Sequence, residues 1–221
     1  MIKGLKEYYL PKDLYKRRTI MIAIVDYGVG NLSSVQNSLK ALDIPSIISS
    51  SAEEIAKCRS IIVPGVGAFP DAMKNMRETG IDKIVKVAAK EGKPILGICL
   101  GMQLFFEESD EVEKCAGLGL LKGNVTKLEG SIKIPHMGWN SLSFETYSPI
   151  LQGISENNYV YFVHSYYVEN CEKGIINAYS MYEKKIPAIV SKGNIFGMQF
   201  HPEKSGDFGM KLLKNFVEVV K

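Results

Sequence analysis

The sequence predicts an α/β fold in which a mostly parallel, doubly wound sheet is flanked by helices and extended by antiparallel strands in the C-terminal half. Two observations carry this prediction. Short apolar strands alternate with amphipathic helices as far as Cys99, and such alternation is typical of parallel βαβ units. From Gly117 onward, short strands are separated by glycine and asparagine turns, which is typical of antiparallel hairpins.

The elements follow in order along the chain. Residues 22–25 form a short apolar run that predicts a strand, and residues 32–42 predict a helix because apolar side chains recur on one face. The same patterns predict strands at 46–49, 61–63 and 95–98 and helices at 52–57, 71–78 and 81–91. In the second half they predict strands at 158–163, 175–179, 188–191 and 195–200 before a closing helix at 208–220.

Composition is that of a single globular domain. The chain has 221 residues, of which 46% are hydrophobic and 23% charged, enough to bury a sizeable core. No apolar run approaches the ~18 residues that a membrane span needs, and no signal-peptide pattern opens the chain. The four cysteines lack C-x-x-C spacing, so we expect reduced thiols and a cytoplasmic location.

Charge divides the chain into two unequal parts. Residues 1–20 hold six basic and two acidic side chains, a net charge of +4, while the whole chain carries +3. Residues 21–221 are therefore nearly neutral at −1, and this body shows no basic surface of the kind that binds nucleic acid. We predict a domain at 21–221 preceded by a basic N-terminal extension at 1–20, which we expect to be merely solvated.

The most informative segment is the apolar strand that ends at Cys99. Gly97 and Gly101 stand two residues before and after this cysteine, and a helix-forming stretch follows. This is the layout of a nucleophile elbow, G-x-C-x-G, in which glycines permit a tight turn from strand to helix. The amino end of the new helix favours a thiolate and offers N–H groups to an oxyanion. The pattern favours a catalytic Cys99, with a buried structural cysteine as the alternative.

A second strand ends in a polar residue near the C-terminus, where His201 is followed by Pro202 and Glu203. A thiol needs a base to ionise at neutral pH, and the base needs an acceptor that orients its other ring nitrogen. His201 and Glu203 can supply both from one loop. The sequence thus predicts a catalytic set of Cys99, His201 and Glu203, and favours satisfied core or strand roles for the other two histidines, His136 and His164.

The sequence matches none of the cofactor or metal motifs with which we compared it. The loop from Asp26 to Asn31 lacks the third glycine of the dinucleotide motif, because Ser33 stands there. The loop Pro64-Gly-Val-Gly67 is not followed by the Gly-Lys-Ser/Thr of a phosphate cradle. The three histidines show no metal-ligand spacing. We therefore expect neither a cofactor nor a metal.

Taken together, the motifs resemble those of class I glutamine amidotransferases, and within them the glutaminase subunits of imidazole glycerol phosphate synthases. The resemblance runs from about Met21 to the end of the chain, with the motifs in the same order. They are Gly-Ile-Cys-Leu-Gly-Met-Gln, Gly-Met-Gln-Phe-His-Pro-Glu-Lys-Ser, Asp26-Tyr-Gly-Val-Gly-Asn31, Pro64-Gly-Val-Gly67-Ala-Phe69, Pro135-His-Met-Gly-Trp-Asn140 and Tyr161-Phe-Val-His-Ser-Tyr166.

The resemblance implies a flavodoxin-like fold and roles for further residues. A backbone N–H of Val66 or Gly67 would join that of Leu100 in an oxyanion hole. Gln103 and Glu111 would help seat the substrate, L-glutamine, although an exposed helix residue and part of an acidic loop are the alternatives. The implied lining of a subunit interface and ammonia passage comprises Asn31, Trp139, Tyr161 and Lys204, and for Trp139 a core position is equally compatible with the sequence.

The implied reaction is glutamine hydrolysis through a cysteinyl thioester, with ammonia passed to a second enzyme. The resemblance implies a (β/α)₈-barrel cyclase as partner in a heterodimer of histidine biosynthesis. Such a barrel typically needs ~250 residues of its own, which this chain of 221 residues lacks. We therefore expect the cyclase to be a separate subunit. Three other interpretations stay open. They are a paralogous glutaminase subunit that feeds a bacterial surface-sugar amidotransferase, a free-standing γ-glutamyl cysteine hydrolase, and an inactive binding module.

Overall fold

The structure, a computed structural model, describes residues 21–220. The predicted extension at 1–20 lies outside the described residues. The first half contains strands β1 (Ile22–Val25), β2 (Ser46–Ser49), β3 (Ser60–Val63) and β4 (Ile95–Ile98). It also contains helices α1 (Leu32–Ala41), α2 (Ala52–Lys57), α3 (Phe69–Thr79), α4 (Ile81–Lys90) and the short α5 (Leu100–Gln103). Helix α3 begins earlier than predicted because Pro70 suits a first helical turn.

The second half is mainly β-structure. Its strands are β5 (Glu108–Ser109), β6 (Cys115–Ala116), β7 (Asn124–Lys127), β8 (His136–Ser141), β9 (Ser143–Phe144), β10 (Tyr159–His164), β11 (Tyr166–Glu169), β12 (Ile176–Tyr182), β13 (Lys184–Lys192) and β14 (Ile195–Met198). Single 3₁₀ turns lie at Pro149–Leu151 and Pro202–Lys204, and helix α6 (Gly206–Val220) closes the fold.

One eight-stranded sheet, in the order β2-β1-β3-β4-β14-β13-β12-β9, organises the molecule. The neighbours from β2 to β14 pair in parallel, and those from β14 to β9 pair antiparallel. The predicted class, a mostly parallel sheet with added antiparallel strands, is therefore confirmed. One strand differs from its predicted neighbours: β14 was expected among the hairpins, yet it also pairs in parallel with β4 along the register Met198↔Ile98.

Two smaller sheets flank the large one. Strands β8 and β10 form an antiparallel ribbon, and β11-β7-β5-β6 form a four-stranded sheet. The pairing within the ribbon places Tyr161 opposite Trp139 and His164 opposite His136. The ribbon thereby brings Trp139, Tyr161 and both remaining histidines to one place.

The core lies in two layers on opposite faces of the sheet. Successive residues of β1 alternate between the layers, with Ala23 and Val25 in one and Ile22 and Ile24 in the other. Helices α2, α3 and α4 cover the first face, while α1 and α6 cover the second. Because the helices lie on both faces, the carboxyl ends of the parallel strands remain open to a ligand. Across residues 21–220, no helix is both long and apolar enough to cross a membrane.

Candidate active site

Cys99 lies at the carboxyl end of β4, at the turn into α5. Its backbone angles are φ 54° and ψ −112°, a conformation that is strained for a residue with a side chain and recurs at functional sites. Its N–H donates to the carbonyl of Met198 on β14, at 2.7 Å, which holds the turn against the neighbouring strand. The side chain is nearly buried, with 6% of the residue exposed.

The two glycines of the elbow are required by close backbone contacts. A Cβ at Gly97 would lie 2.6 Å from the carbonyl oxygen of Gly101, and one at Gly101 would lie 1.8 Å from that of Val63. Real Cβ atoms do not approach backbone this closely. The glycines thus allow α5 to start directly against β3 and β4, as the elbow pattern predicts.

His201 follows β14 and lies beside the elbow because β14 pairs in parallel with β4. Its Nδ1–H donates to Glu203 Oε1 at 2.8 Å, and only 3% and 1% of the two side chains are exposed. The 3₁₀ turn Pro202–Lys204 brings Glu203 within hydrogen-bond distance of Nδ1. The His201 N–H donates to the carbonyl of Tyr161 at 3.0 Å, which ties the loop to the β8–β10 ribbon.

The electrostatics of His201 favour an imidazolium. Burial lowers the pKa of His201, but interactions with the Cys99 and Glu203 side chains more than offset burial and raise this pKa to about 10. Nε2 of His201 is buried and otherwise without a hydrogen-bond partner. It is therefore the atom left to take the proton of the Cys99 thiol.

We expect His201→Asn to slow the alkylation of Cys99 by iodoacetamide at pH 7 by about 10³-fold, because the thiol loses the group that takes its proton. The rate is followed by mass spectrometry across pH. At pH 10 and above the variant is expected to approach the wild-type rate, since hydroxide then removes the proton. Equal rates at pH 7 would remove His201 from this role.

A pocket of about 410 Å³ opens at the sulfur of Cys99. It is lined by Val66, Gly67, Cys99, Leu100, Gln103, Glu111, Pro135, Val163, His164, Ser165, Tyr166 and His201. Seven of these residues are sequence candidates: six come from three separate motifs, and the seventh is Glu111. Glu203 stands behind His201 and lines no part of the pocket, as suits a residue that orients a base. Among the described residues, no group of three or more His, Cys, Asp or Glu side chains could hold a metal ion.

The loop after β3 forms one wall of the pocket beside the elbow. Val66 is 43% exposed and Gly67 has a φ of 97°. A Cβ at the preceding Gly65 would lie 2.9 Å from the N atom of Gly101, so the loop rests directly against the start of α5. The hydroxyl of Tyr27 donates to the carbonyl of Pro64 at 2.5 Å, and this bond anchors the loop from below.

Gln103 and Glu111 both line the pocket, and both are held by backbone contacts. The Gln103 side chain is buried and donates to the carbonyl of Tyr166 at 2.9 Å, so the alternative of an exposed helix residue is wrong. Glu111 Oε2 accepts the N–H of Phe69 at 2.8 Å. Burial raises the pKa of Glu111, and the bond from Phe69 only partly opposes this.

The four residues expected at an interface lie on the β8–β10 ribbon, in the turn that carries Glu203, and next to the start of α1. Trp139 and Tyr161 face each other on the ribbon, with ring centroids 6.1 Å apart. Trp139 is 53% exposed, so the alternative of a core position is wrong. Lys204 is exposed in the turn, and Asn31 begins helix α1, which packs against that turn.

Two site residues were missed from the sequence. Gln199 is fully buried and its Nε2 lies 3.8 Å from Cys99 Sγ. The signal that could have identified it is its position two residues before His201, since alternate residues of the strand predicted at 195–200 would share one side. His164, expected to be structural, lines the pocket and bonds to His136 at 3.0 Å. His136 in turn stacks between the rings of Phe162 and Tyr182.

The histidine pair should make the fold sensitive to acid. Burial lowers the pKa of His164 to about 3, and nearby His136 and His201 lower it too, against a hydrogen bond to Tyr166. An unfolded histidine titrates near 6.5. Below that pH, His164 binds a proton in the unfolded chain but stays neutral in the folded protein. Its stability contribution is therefore complete above pH 6.5 and is lost as the pH falls toward 3.

We expect the free energy of unfolding to lose about 1–2 kcal/mol through His164 between pH 7 and pH 5. His164→Asn keeps a donor toward the Tyr166 carbonyl but cannot titrate, so its stability should vary less with pH over this interval. Urea denaturation at the two pH values measures the difference. His201 is present in both the wild type and the variant, so its contribution to the pH dependence largely cancels in the comparison. Identical pH slopes would contradict the prediction.

Comparison with known proteins adds sequence relatives over nearly the whole described chain. The family described as "Glutamine amidotransferase class-I" matches residues 23–220. Imidazole glycerol phosphate synthase subunit HisH of Oceanobacillus iheyensis is 54% identical over 201 residues, covering 91% of this chain and 100% of that protein. The subunit of the same name from Caldanaerobacter subterraneus subsp. tengcongensis is 52% identical, covering 91% and 99%.

Solved structures support the fold. A crystal structure of a glutamine amidotransferase superposes with a TM-score of 0.73 at 22% identity, covering 90% of this chain and 98% of the other. A structure of PurLQS from Thermotoga maritima superposes with a TM-score of 0.74 at 20% identity, covering 92% and 100%. The sequence match over residues 23–220 and the relatives above half identity agree: the chain belongs to the class-I glutamine amidotransferase family.

Proposed function

We propose that this chain hydrolyses L-glutamine to glutamate and ammonia through a thioester on Cys99, as the glutaminase subunit of an imidazole glycerol phosphate synthase in histidine biosynthesis. One observation carries the chemistry: a strained cysteine at the end of β4 shares a pocket with His201, whose Nδ1–H is held by Glu203. The pathway assignment is supported by the relatives of that name, which exceed 50% identity.

In the first half-reaction, Nε2 of His201 takes the proton of the Cys99 thiol. The thiolate then attacks the carbonyl carbon of the glutamine side chain, and the oxygen becomes an oxyanion. N–H groups of Leu100 and of Val66 or Gly67, residues that line the pocket, would receive it, and losing one such donor typically costs about 2.7–4 kcal/mol of barrier. When the intermediate collapses, the C–N bond breaks and the leaving nitrogen takes the proton from His201 as ammonia departs.

In the second half-reaction, His201 takes a proton from water, and the resulting hydroxide attacks the thioester. The C–S bond breaks, glutamate leaves, and the Cys99 thiolate is restored beside a protonated His201. Glu203 holds the imidazole in the required tautomer throughout, since its Oε1 accepts from Nδ1. Gln103 and Glu111 also line the pocket and would help seat the glutamine substrate.

The proposed partner is a separate (β/α)₈-barrel cyclase subunit, joined to this chain as a heterodimer in the cytoplasm. The residues proposed for the interface are Trp139 and Tyr161 on the ribbon, Lys204 in the turn that carries Glu203, and Asn31 next to α1. Half-exposed aromatic side chains such as Trp139 are common interface anchors. Ammonia released at Cys99 would pass between the subunits there and avoid protonation in bulk water.

Residues 21–221 are proposed as the catalytic domain, and residues 1–20 as an extension without a catalytic role. Deleting residues 1–20 is expected to leave kcat and the affinity for the cyclase unchanged, because β1 begins at Ile22 and every proposed site residue follows it. Steady-state kinetics and titration with the cyclase compare the two proteins. A loss of cyclase binding on deletion would assign the extension to the interface.

The test of the function is glutamate release from glutamine by the purified protein, alone and with the cyclase subunit and its nucleotide ligand from the same organism. Strong stimulation by the liganded cyclase would support the assignment. Equal turnover without the cyclase would overturn it in favour of a free-standing γ-glutamyl hydrolase. Glutaminase activity that responds only to a different synthase would point to a surface-sugar amidotransferase.

A further inference from the structure

Two buried glutamines connect a backbone carbonyl of the pocket wall to the sulfur of Cys99. Gln103 Nε2 donates to the carbonyl of Tyr166 and to Oε1 of Gln199, at 2.9 Å in each case. Gln199 Nε2 then reaches Cys99 Sγ at 3.8 Å. Gln199 is 0% exposed, so no solvent competes for its amide. The reaction steps described above make no use of this connection.

The carbonyl of Tyr166 determines which group donates and which accepts in each of these hydrogen bonds. The carbonyl of Tyr166 can only accept, so Gln103 must turn its NH₂ group toward it. The same NH₂ group faces Gln199, which must therefore present its oxygen. The other end of the Gln199 amide is then an NH₂ group, and it points at the sulfur. Reversing either amide would set two donors or two acceptors against each other in a buried place.

The same carbonyl fixes the polarity of a second set of bonds. Nδ1 of His164 lies 2.8 Å from the Tyr166 oxygen, so this nitrogen carries the proton. Nε2 of His164 is then an acceptor for the Nδ1–H of His136. The neutral state that this pattern requires agrees with the lowered pKa of both histidines. The Tyr166 carbonyl thus accepts from both Gln103 and His164, and it sets the donor direction in both hydrogen-bond networks.

We propose that Gln199 is a positioning residue, whose side-chain N–H donates to the Cys99 thiolate in a direction set by the Tyr166 carbonyl through Gln103. The inference rests on the proposed function of Cys99 and adds a residue to it. A donor aimed at sulfur favours the charged form, since a thiolate accepts a hydrogen bond more strongly than a thiol. It also fixes the sulfur on the side of Cys99 that faces His201 and the pocket.

The test compares two nearly isosteric variants. Gln199→Met removes the donor, and Gln199→Glu keeps an acceptor toward Gln103 while placing a carboxylate oxygen at the sulfur. We expect the pH at which Cys99 alkylation reaches half its maximal rate to rise by about one unit in Gln199→Met, and by more in Gln199→Glu. At pH 7, kcat for glutamine should fall about tenfold in Gln199→Met, with KM little changed.

Asn177→Leu provides the matched control. Asn177 is also a buried amide, and its Nδ2 donates to Thr146 Oγ1 and to the carbonyl of Tyr147, neither of which lines the pocket. Its loss should lower the melting temperature and leave the pH profile of alkylation unchanged. A merely structural role for Gln199 would give the same result as this control.

A measurement on the wild-type chain makes the test independent of variants that fail to fold. The side-chain amide resonances of Gln199, assigned by NMR, should move as Cys99 ionises and lose that response once Cys99 is alkylated. An unmoved resonance, or unchanged alkylation profiles in both variants, would overturn the inference. The proposed function would still stand in that case. It fails separately, if Cys99→Ala retains glutaminase turnover.

Discussion

Cys99→Ala is expected to abolish glutamine hydrolysis, with kcat reduced by about 10³-fold or more because members of a catalytic set act as a unit. The fold should persist. Alanine retains the Cβ that already tolerates a φ of 54°, and the contacts of the sulfur with the Val163 carbonyl and with Gln199 are long, at 3.9 Å and 3.8 Å. Glutamate release measures the loss, and thermal unfolding measures stability.

Cys58→Ala is the matched control. Cys58 is also buried, but it follows the end of α2, where its Sγ donates to the carbonyl of Glu54, and neither residue lines the pocket. Its removal should leave kcat at the wild-type value. Turnover that survives in Cys99→Ala, or disappears equally in both variants, would show that Cys99 is not the nucleophile.

Gly101→Ala is expected to have the largest effect on stability. The new Cβ would fall 1.8 Å from the carbonyl oxygen of Val63, with backbone on both sides of the contact. Neither β3 nor the start of α5 can move without disturbing the sheet or the elbow. The free energy of unfolding should fall by about 3 kcal/mol or more, which lowers the melting temperature by roughly 6–12 °C for a domain of this size.

Gly119→Ala separates steric overlap from backbone conformation. Gly119 has a φ of 65° and nothing within 4 Å of a Cβ built there, so alanine should cost only the roughly 1–2 kcal/mol of a left-handed residue. Equal melting temperatures for Gly101→Ala and Gly119→Ala would contradict the close-contact argument. A folded Gly101→Ala protein with low kcat would indicate that the elbow had shifted instead.

The first half of the fold could be predicted from local sequence because each element has its own hydrophobic period. Strands β1, β2 and β4 and helix α2 begin and end where the pattern predicts. The second half carries weaker signals. Strand β7 (Asn124–Lys127) is mostly polar, and β8 (His136–Ser141) contains Gly138 and little alternation. Such strands form because a partner strand is present, which the local sequence does not record.

The same distinction applies to the site. Cys99, His201 and the glycine loop could be found because each ends an apolar strand. The role of Gln103 as a buried donor could not, since its partners are the carbonyl of Tyr166, 63 positions away, and Gln199, 96 positions away. Exposed Trp139 could not be distinguished from a core tryptophan because its exposure depends on how the β8–β10 ribbon lies. The burial of Gln103 and the exposure of Trp139 both depend on residues that are distant in the sequence.

The insertion of β14 beside β4 has a consequence for the order of events during synthesis. Gln199 and Cys99 are 100 positions apart in the chain, yet each directly follows one of two adjacent strands. A nascent chain that has emerged only as far as β13 contains Cys99 but not its proposed base, His201. Contacts between distant parts of a chain also form slowly. Reactivity of the thiol therefore arises late in folding, so a ribosome-bound or half-folded chain has no means to waste cellular glutamine.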